Sequence, residues 1–224
     1  WLQNNYKFSS IAESIDELII LDVTRSFEFN RAELCSAVSM VTANCFMPLA
    51  LGGGIFTHAD ADYFISIGAD KLVLNTALAT SSVFVKDLVS VYGCQCIVAS
   101  VDYRFENGIP VVYTHHGQQR LDCDFYTFIQ RLEEMQVGEI YLQSIDRDGT
   151  GQGLCPEILS HLDSDFHLPV ILAGGAGNQH HLLDGIKSKG VDAVTSANLF
   201  NFVGDGLPTA RAHLLRNDIP MAQW

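Results

Sequence analysis

Uninterrupted apolar runs are short throughout this sequence of 224 residues: no window of 18 residues is free of polar side chains, so no segment reads as a transmembrane helix. Positive charge is scarce, with 13 basic residues against 26 acidic ones and a formal net charge of −13. That balance excludes a general nucleic-acid binder, which needs a cationic footprint. It leaves small anions open, because backbone amides can hold a phosphate on an acidic protein. The opening stretch WLQNNYKFSS has no basic region leading into an apolar core, so a signal peptide is not expected and a cytoplasmic location is. Zinc-type cysteine pairs are missing too. Of six cysteines only Cys94 and Cys96 lie close, and C-x-C is neither a zinc-knuckle nor a thioredoxin spacing, so reduced thiols are expected. The histidines form two adjacent pairs, His115–His116 and His180–His181, and neighbours cannot share one helix or strand face as ligands. They read as surface or helix residues. No metal and no cofactor is expected.

What is present is an alternation. Seven apolar segments, LIILDVT (18–24), PLALGGGI (48–55), KLVLNTA (71–77), CIVASVDY (96–103), EIYLQSID (139–146), PVILAGGAG (169–177) and AVTSANLF (193–200), each run into turn residues. Most are nearly continuous in apolar character, as strands covered on both faces are. Amphipathic helices are expected between them at Arg31–Thr42, Ala59–Ile67, Val83–Tyr92, Phe125–Met135 and His180–Ser188. Strand and helix in regular alternation give an α/β fold with a parallel sheet.

An internal echo selects the kind of sheet. Gly52-Gly53-Gly54 recurs as Gly174-Gly175-Ala176, 122 residues on, and the same offset relates Thr24-Arg25 to Asp146-Arg147. A half-chain repeat predicts a duplicated (β/α)8 TIM barrel spanning residues 1–224 as one domain. A doubly wound sheet ranks second, because no early G-x-G-x-x-G is present. With seven strands counted where eight are needed, the first βα unit is expected to be truncated or missing, residues 1–10 being its remnant.

Barrel chemistry sits at the strand C-termini. Asp22, Gly52 to Gly54, Asn75, Thr76, Asp102, Asp146, Asp148, Gly174 to Gly177 and Asn198 fall there. The two glycine turns, with Gly53, Gly54 and Gly175, suit two phosphates on opposite sides of an elongated substrate. Tight-turn formation is their plainer use. Asp102 ends a strand of valine and alanine, which would raise its pKa toward proton transfer, and Asp148 is expected across the mouth as its partner. The competing expectation pairs both aspartates with Arg104 and Arg147, or uses them as helix caps. At the opposite ends Glu17, Lys71 and Glu139 begin alternate strands and can meet in one charged ring, unless they are solvated edge charges.

Taken in order, LIILDVT, PLALGGGI, ADKLVLNTA, CIVASVDYR, VYTHHG, GEIYLQSIDRDGT, LAGGAGN and ANLFNF resemble the HisF family, the cyclase subunits of imidazole glycerol phosphate synthase, over nearly all of residues 15–203. The resemblance implies a HisH-like glutaminase partner whose ammonia enters at the N-terminal barrel face through a charged gate, matched by Glu17, Lys71 and Glu139. It implies a catalytic role for Asp102, an active-site aspartate in Asp148, and a phosphorylated substrate held by Gly54, Asn75 and Thr76 on one side and Gly149 and Gly175 on the other. Asn198 stands where the family has serine at a phosphate site. The family's first-strand aspartate, loop lysine and gate arginine have no visible counterpart. The stretch ANLFNFVGDGLPTAR resembles HisF-like paralogues that pass ammonia, with a further amidotransferase component, to acetamidino modification of nucleotide-linked sugars for surface polysaccharide such as lipopolysaccharide. A non-catalytic, glutaminase-activating scaffold is the third expectation.

Overall fold

The computed structural model describes residues 14–24, 31–42, 47–197 and 205–222. Seven parallel strands form a continuous sheet: β1 (Leu18–Leu21), β2 (Leu49–Gly52), β3 (Lys71–Leu74), β4 (Ile97–Glu106), β7 (Glu139–Ser144), β8 (Val170–Ala173) and β9 (Ala193–Val194). Two antiparallel strands, β5 (Ile109–Thr114) and β6 (Gln119–Asp124), leave this path as an extension of β4. The helices α1 (Arg31–Thr42), α2 (His58–Ser66), α3 (Thr76–Thr80), α4 (Ser82–Tyr92), α5 (Phe125–Glu134), α6 (Gln179–Ile186) and α7 (Gly206–Arg216) follow the parallel strands in turn. A short 3₁₀ segment, Pro156–His161, replaces a helix after β7. Parallel order and regular alternation are those of a (β/α)8 barrel. The expected remnant of a first unit, residues 1–10, lies outside the described residues.

Side-chain alternation splits the core in two, as period-two strands require. Leu49, Leu51, Leu72, Leu74, Ile97, Ile140, Leu142 and Leu172 point outward and are buried against Phe64, Leu88, Phe128, Leu132 and Leu182 of the helices. The residues between them face inward: Ala50, Val73 and Val98, with Ile19 and Tyr141, make a separate apolar cluster inside the sheet's curve. Helix placement follows local signals. In α5 the apolar residues Phe125, Phe128, Ile129 and Leu132 lie on one stripe, and Asp124 caps the first turn by accepting from the Thr127 amide at 2.9 Å. Thr57 and Asp60 form a reciprocal capping box at α2.

The internal repeat is visible in hydrogen bonding. The Asp70 carboxylate accepts from the Leu49 amide at 2.8 Å, and the Asp70 amide donates back to the Leu49 carbonyl. Asp192 holds Val170 in the same two-way fashion, its carboxylate at 2.9 Å. Leu18 donates to Pro48 and Ile140 to Pro169. Each half thus ties the start of a strand to its neighbour with a matching residue.

The candidate functional site

The two ends of the strands carry different chemistry. At the N-terminal ends, the Lys71 ammonium lies 2.7 Å from Glu17 Oε2 and 2.8 Å from Glu139 Oε1. Lys71 begins β3, Glu139 begins β7 and Glu17 directly precedes β1, so the barrel register itself gathers them. Burial alone would lower the lysine's pKa, but hydrogen bonds to Glu139 and Glu17 outweigh it and hold the ammonium charged. One ammonium shared between two carboxylates does not fully compensate both. Burial, aided by the Glu139 charge, pushes the Glu17 carboxyl up, and its Oε1 has no hydrogen-bond partner among the described residues. Lys71 pairs with both carboxylates and all three are only partly exposed, which sets aside the alternative of solvated edge charges.

At the C-terminal ends a cavity of about 1210 Å³ opens. Gly53, Gly54, Asn75, Thr76, Asp102, Asp148, Gly149 and Gly175 all line it, together with Asp22, Phe56, Tyr141 and Gln143. Asn198 lies outside the described residues. The loop SIDRDGTGQG is what brings Asp148 and Gly149 into this wall. Arg147 fastens it by donating to the Leu154 carbonyl at 2.6 Å, with Glu157 at 3.7 Å, and Gly153 donates to Gly175 at 2.8 Å. The approach is too close for any side chain at Gly175, where a Cβ would sit 2.3 Å from the Gly153 carbonyl. Arg104 meanwhile pairs with Asp146 at 3.7 Å. Neither arginine takes Asp102 or Asp148, against the competing sequence expectation.

Asp102 is the most perturbed carboxyl of the cavity. Burial, then repulsion from Asp148, raises its pKa from 3.8 to about 6, with a hydrogen bond from Asn75 pulling slightly the other way. Asn75 is itself held by donating to the Ser100 carbonyl at 3.0 Å. The sign for stability is fixed. The native state keeps a proton on Asp102 that the unfolded chain releases near pH 4, so stability falls as pH rises from about 4 to about 6 and stays lower above. Asp102→Asn is neutral throughout and is expected to stabilise the fold by up to about 3 kcal/mol at pH 7.5. Urea unfolding at both pH values checks this, the gain vanishing near pH 4.

The helix starts after the glycine turns are closed by their own side chains, Thr57 and Asp60 at α2 and Asn178 at α6, which accepts from the His180 and His181 amides. Among the described residues no protein acceptor takes the amide hydrogens of Gly54, Gly149 or Gly175, so the turns themselves are what can present donors to an anion. His115 and His116, expected on the surface or in a helix, are solvent-exposed in the β5–β6 turn, where they also border the cavity. The signal available was VYTHHG itself: histidines beside a glycine between two alternating segments make a hairpin turn. His180 and His181 do lie in α6.

Among the described residues no group of three His, Cys, Asp or Glu side chains could hold a metal ion, and no helix is long and apolar enough to cross a membrane. The described cysteines are unpaired thiols.

Fold and site together define a (β/α)8-barrel protein with a carboxylate- and glycine-lined mouth and an ion triad at the far end of the same strands. Comparison with known proteins agrees and narrows the class. The model of the histidine biosynthesis protein family matches residues 7–204. A protein of Parasynechococcus marenigrum (strain WH8102), under the provisional name imidazole glycerol phosphate synthase subunit hisF2, is 38% identical over 226 residues, covering 100% of this chain and 83% of its own length. The imidazole glycerol phosphate synthase subunit HisF of Chlorobaculum parvum (strain DSM 263 / NCIMB 8327) is 36% identical over 202 residues, covering 90% of this chain and 80% of its own. The chain belongs to the HisF family.

Proposed function

We propose that this chain is the ammonia-using synthase subunit of a glutamine amidotransferase of the imidazole glycerol phosphate synthase type. A HisH-like glutaminase docks at the Lys71 end, ammonia crosses the barrel interior, and the product forms in the Asp102 cavity on a phosphorylated substrate. The observation that carries this reading is the layout of β7. Glu139 at its start belongs to the ion triad, Tyr141 to the apolar interior, and Asp148 just past its end to the cavity. The strand spans roughly 17 Å. Between the two polar ends lie Ile19, Ala50, Val73 and Val98. An ammonium ion would lose several kcal/mol of hydration in such a layer, whereas neutral ammonia would not.

In the cavity, Asp102, whose pKa burial and then the Asp148 charge raise to about 6, can take up and release a proton close to neutrality and serves as general acid and base. Gly53, Gly54, Asn75 and Thr76 take one phosphate, and Gly149 and Gly175, with Asn198, the other.

The test is reconstitution with the glutaminase subunit, offering glutamine or ammonium salt and a bis-phosphorylated ribonucleotide. Cleavage and cyclisation of the ribonucleotide is the expected result. Product only from a nucleotide-linked sugar, with a further amidotransferase component added, would move the chain to amidination. Stimulated glutamine hydrolysis with no product from either substrate would make it a scaffold.

A further inference from the structure

The β5–β6 turn is built against local preference. His115, His116 and Gly117 take φ values of 52°, 59° and 74°, three left-handed residues in succession, closed by the Gln118 amide donating to the His115 carbonyl at 3.2 Å. Gly117 is the type this region favours most; histidine enters it more readily than most non-glycine residues, but a β-carbon there still costs stability, more so twice running. Of the described non-glycine residues with positive φ, these two are the adjacent pair. Strain of this kind persists where the surroundings fix it, and it clusters at functional sites. Here the surroundings are the cavity wall. The His115 amide donates to the Thr76 hydroxyl at 3.4 Å, and the His115 ring nitrogen Nδ1 is 3.0 Å from the Thr114 hydroxyl.

Charge gives the turn its meaning. The acidic lining residues are Asp22, Asp60, Asp102 and Asp148, and among the described lining residues there is no lysine or arginine. An anionic substrate entering this wall meets four carboxylates. His115 and His116 are the described lining side chains that can bring positive charge, and an imidazole offers a ring N–H donor in either protonation state.

We propose that His115 and His116 are positioning residues that clasp the phosphoryl group of a phosphate monoester on the Gly54, Asn75 and Thr76 side of the cavity. The proposal rests on the reading of that side as a phosphate site and adds the donors that make it workable in an acidic mouth. The turn places both residues, solvent-exposed, at the cavity wall, and the His115 ring is held by the Thr114 hydroxyl.

The probe is ribose 5-phosphate, with ribose as the uncharged control, titrated calorimetrically into the purified chain. The double variant H115N/H116N keeps a residue type that tolerates left-handed backbone, and H115G/H116G relieves the strain altogether. Wild type is expected to bind ribose 5-phosphate and not ribose, and both double variants to lose about tenfold or more in affinity, as removal of charge-assisted contacts gives. A merely structural turn would instead leave affinity intact, and the glycine variant would melt higher with no loss of binding. Equal affinity in variants and wild type overturns the clasp and leaves the phosphate site standing. A wild type that binds neither compound, or both alike, overturns the phosphate reading itself and the clasp with it. Should the variants fail to fold, proton NMR of the wild type decides. Two imidazole signals, assigned with H115N and H116N singly or with paramagnetic broadening from a phosphate analogue, move on adding ribose 5-phosphate; unmoved signals overturn the proposal.

Discussion

Asp102→Asn is expected to cut turnover of the phosphorylated substrate by about 10²–10⁴-fold, the range typical for loss of a general acid–base group. Glutamine hydrolysis by the partner should persist. The amide keeps the size of the carboxyl and can still meet Asn75, but it cannot carry a proton between substrate atoms. Wild type should show a limb in its pH–rate profile near 6, the value to which burial and Asp148 raise the Asp102 carboxyl. That limb should be absent from Asp102→Asn. In Asp148→Asn it should move to lower pH, because the repulsion that helps hold the proton on Asp102 is removed. The measurement is steady-state turnover against pH for the three proteins. The expected pairing is unusual: the same substitution that disables chemistry should make the fold more stable above pH 6. A variant both less active and less stable there would mean that Asp102 supports the structure and not the reaction.

The second large effect belongs to the other end of the strands. Lys71→Met removes the one cation between Glu17 and Glu139, whose oxygens lie 2.7 and 2.8 Å from it. Two partly buried carboxylates are then left facing each other, at a cost of about 3 kcal/mol in stability. The functional consequence is specific. The route from the partner to the cavity is disturbed and the cavity is not, so glutamine-driven turnover should fall by about tenfold or more while turnover driven by added ammonium changes by less than about twofold. Glutamine consumed per product formed should rise accordingly. Equal losses with both nitrogen sources would place Lys71 in the chemistry or in folding, and remove it from the route.

How far the sequence leads depends on which interactions decide each feature. The strand cores and most helices are legible because one physical signal dominates them, an apolar run or a stripe such as Phe125, Phe128, Ile129 and Leu132. Their ends are not. LIILDVT promises a strand to residue 24, yet pairing stops at Leu21, where the neighbouring β2 ends at Gly52. CIVASVDY promises one that stops at 103, but β4 continues to Glu106 by pairing with β5. That extension is set by pairing with β5, and the hairpin signal in VYTHHG that announces it is weaker than the apolar run before it. Helix α7 also escaped the reading.

The site shows the same division. Glycines and carboxylates at strand ends point to one mouth because the barrel makes strand ends converge, so Gly54, Asn75, Asp102, Asp148 and Gly175 could be named before their distances were known. What each neighbour does could not be named. Arg147, in the same loop as Asp148, turns away to the Leu154 carbonyl and Glu157. The side-chain closure of the α2 and α6 starts, likewise, rests on Thr57, Asp60 and Asn178, residues that a sequence pattern offers equally to turns and caps.

Isotope competition tests the proposed passage most directly. The chain and its glutaminase partner would turn over glutamine labelled with ¹⁵N at the amide, in the presence of a large excess of unlabelled ammonium at a pH where little free ammonia exists. If ammonia crosses from the Lys71 triad to the Asp102 cavity without entering solvent, the product carries ¹⁵N nearly undiluted, and Lys71→Met lets the unlabelled pool in. Product nitrogen diluted to the level of the bulk pool in the wild-type pair would contradict a passage through the barrel.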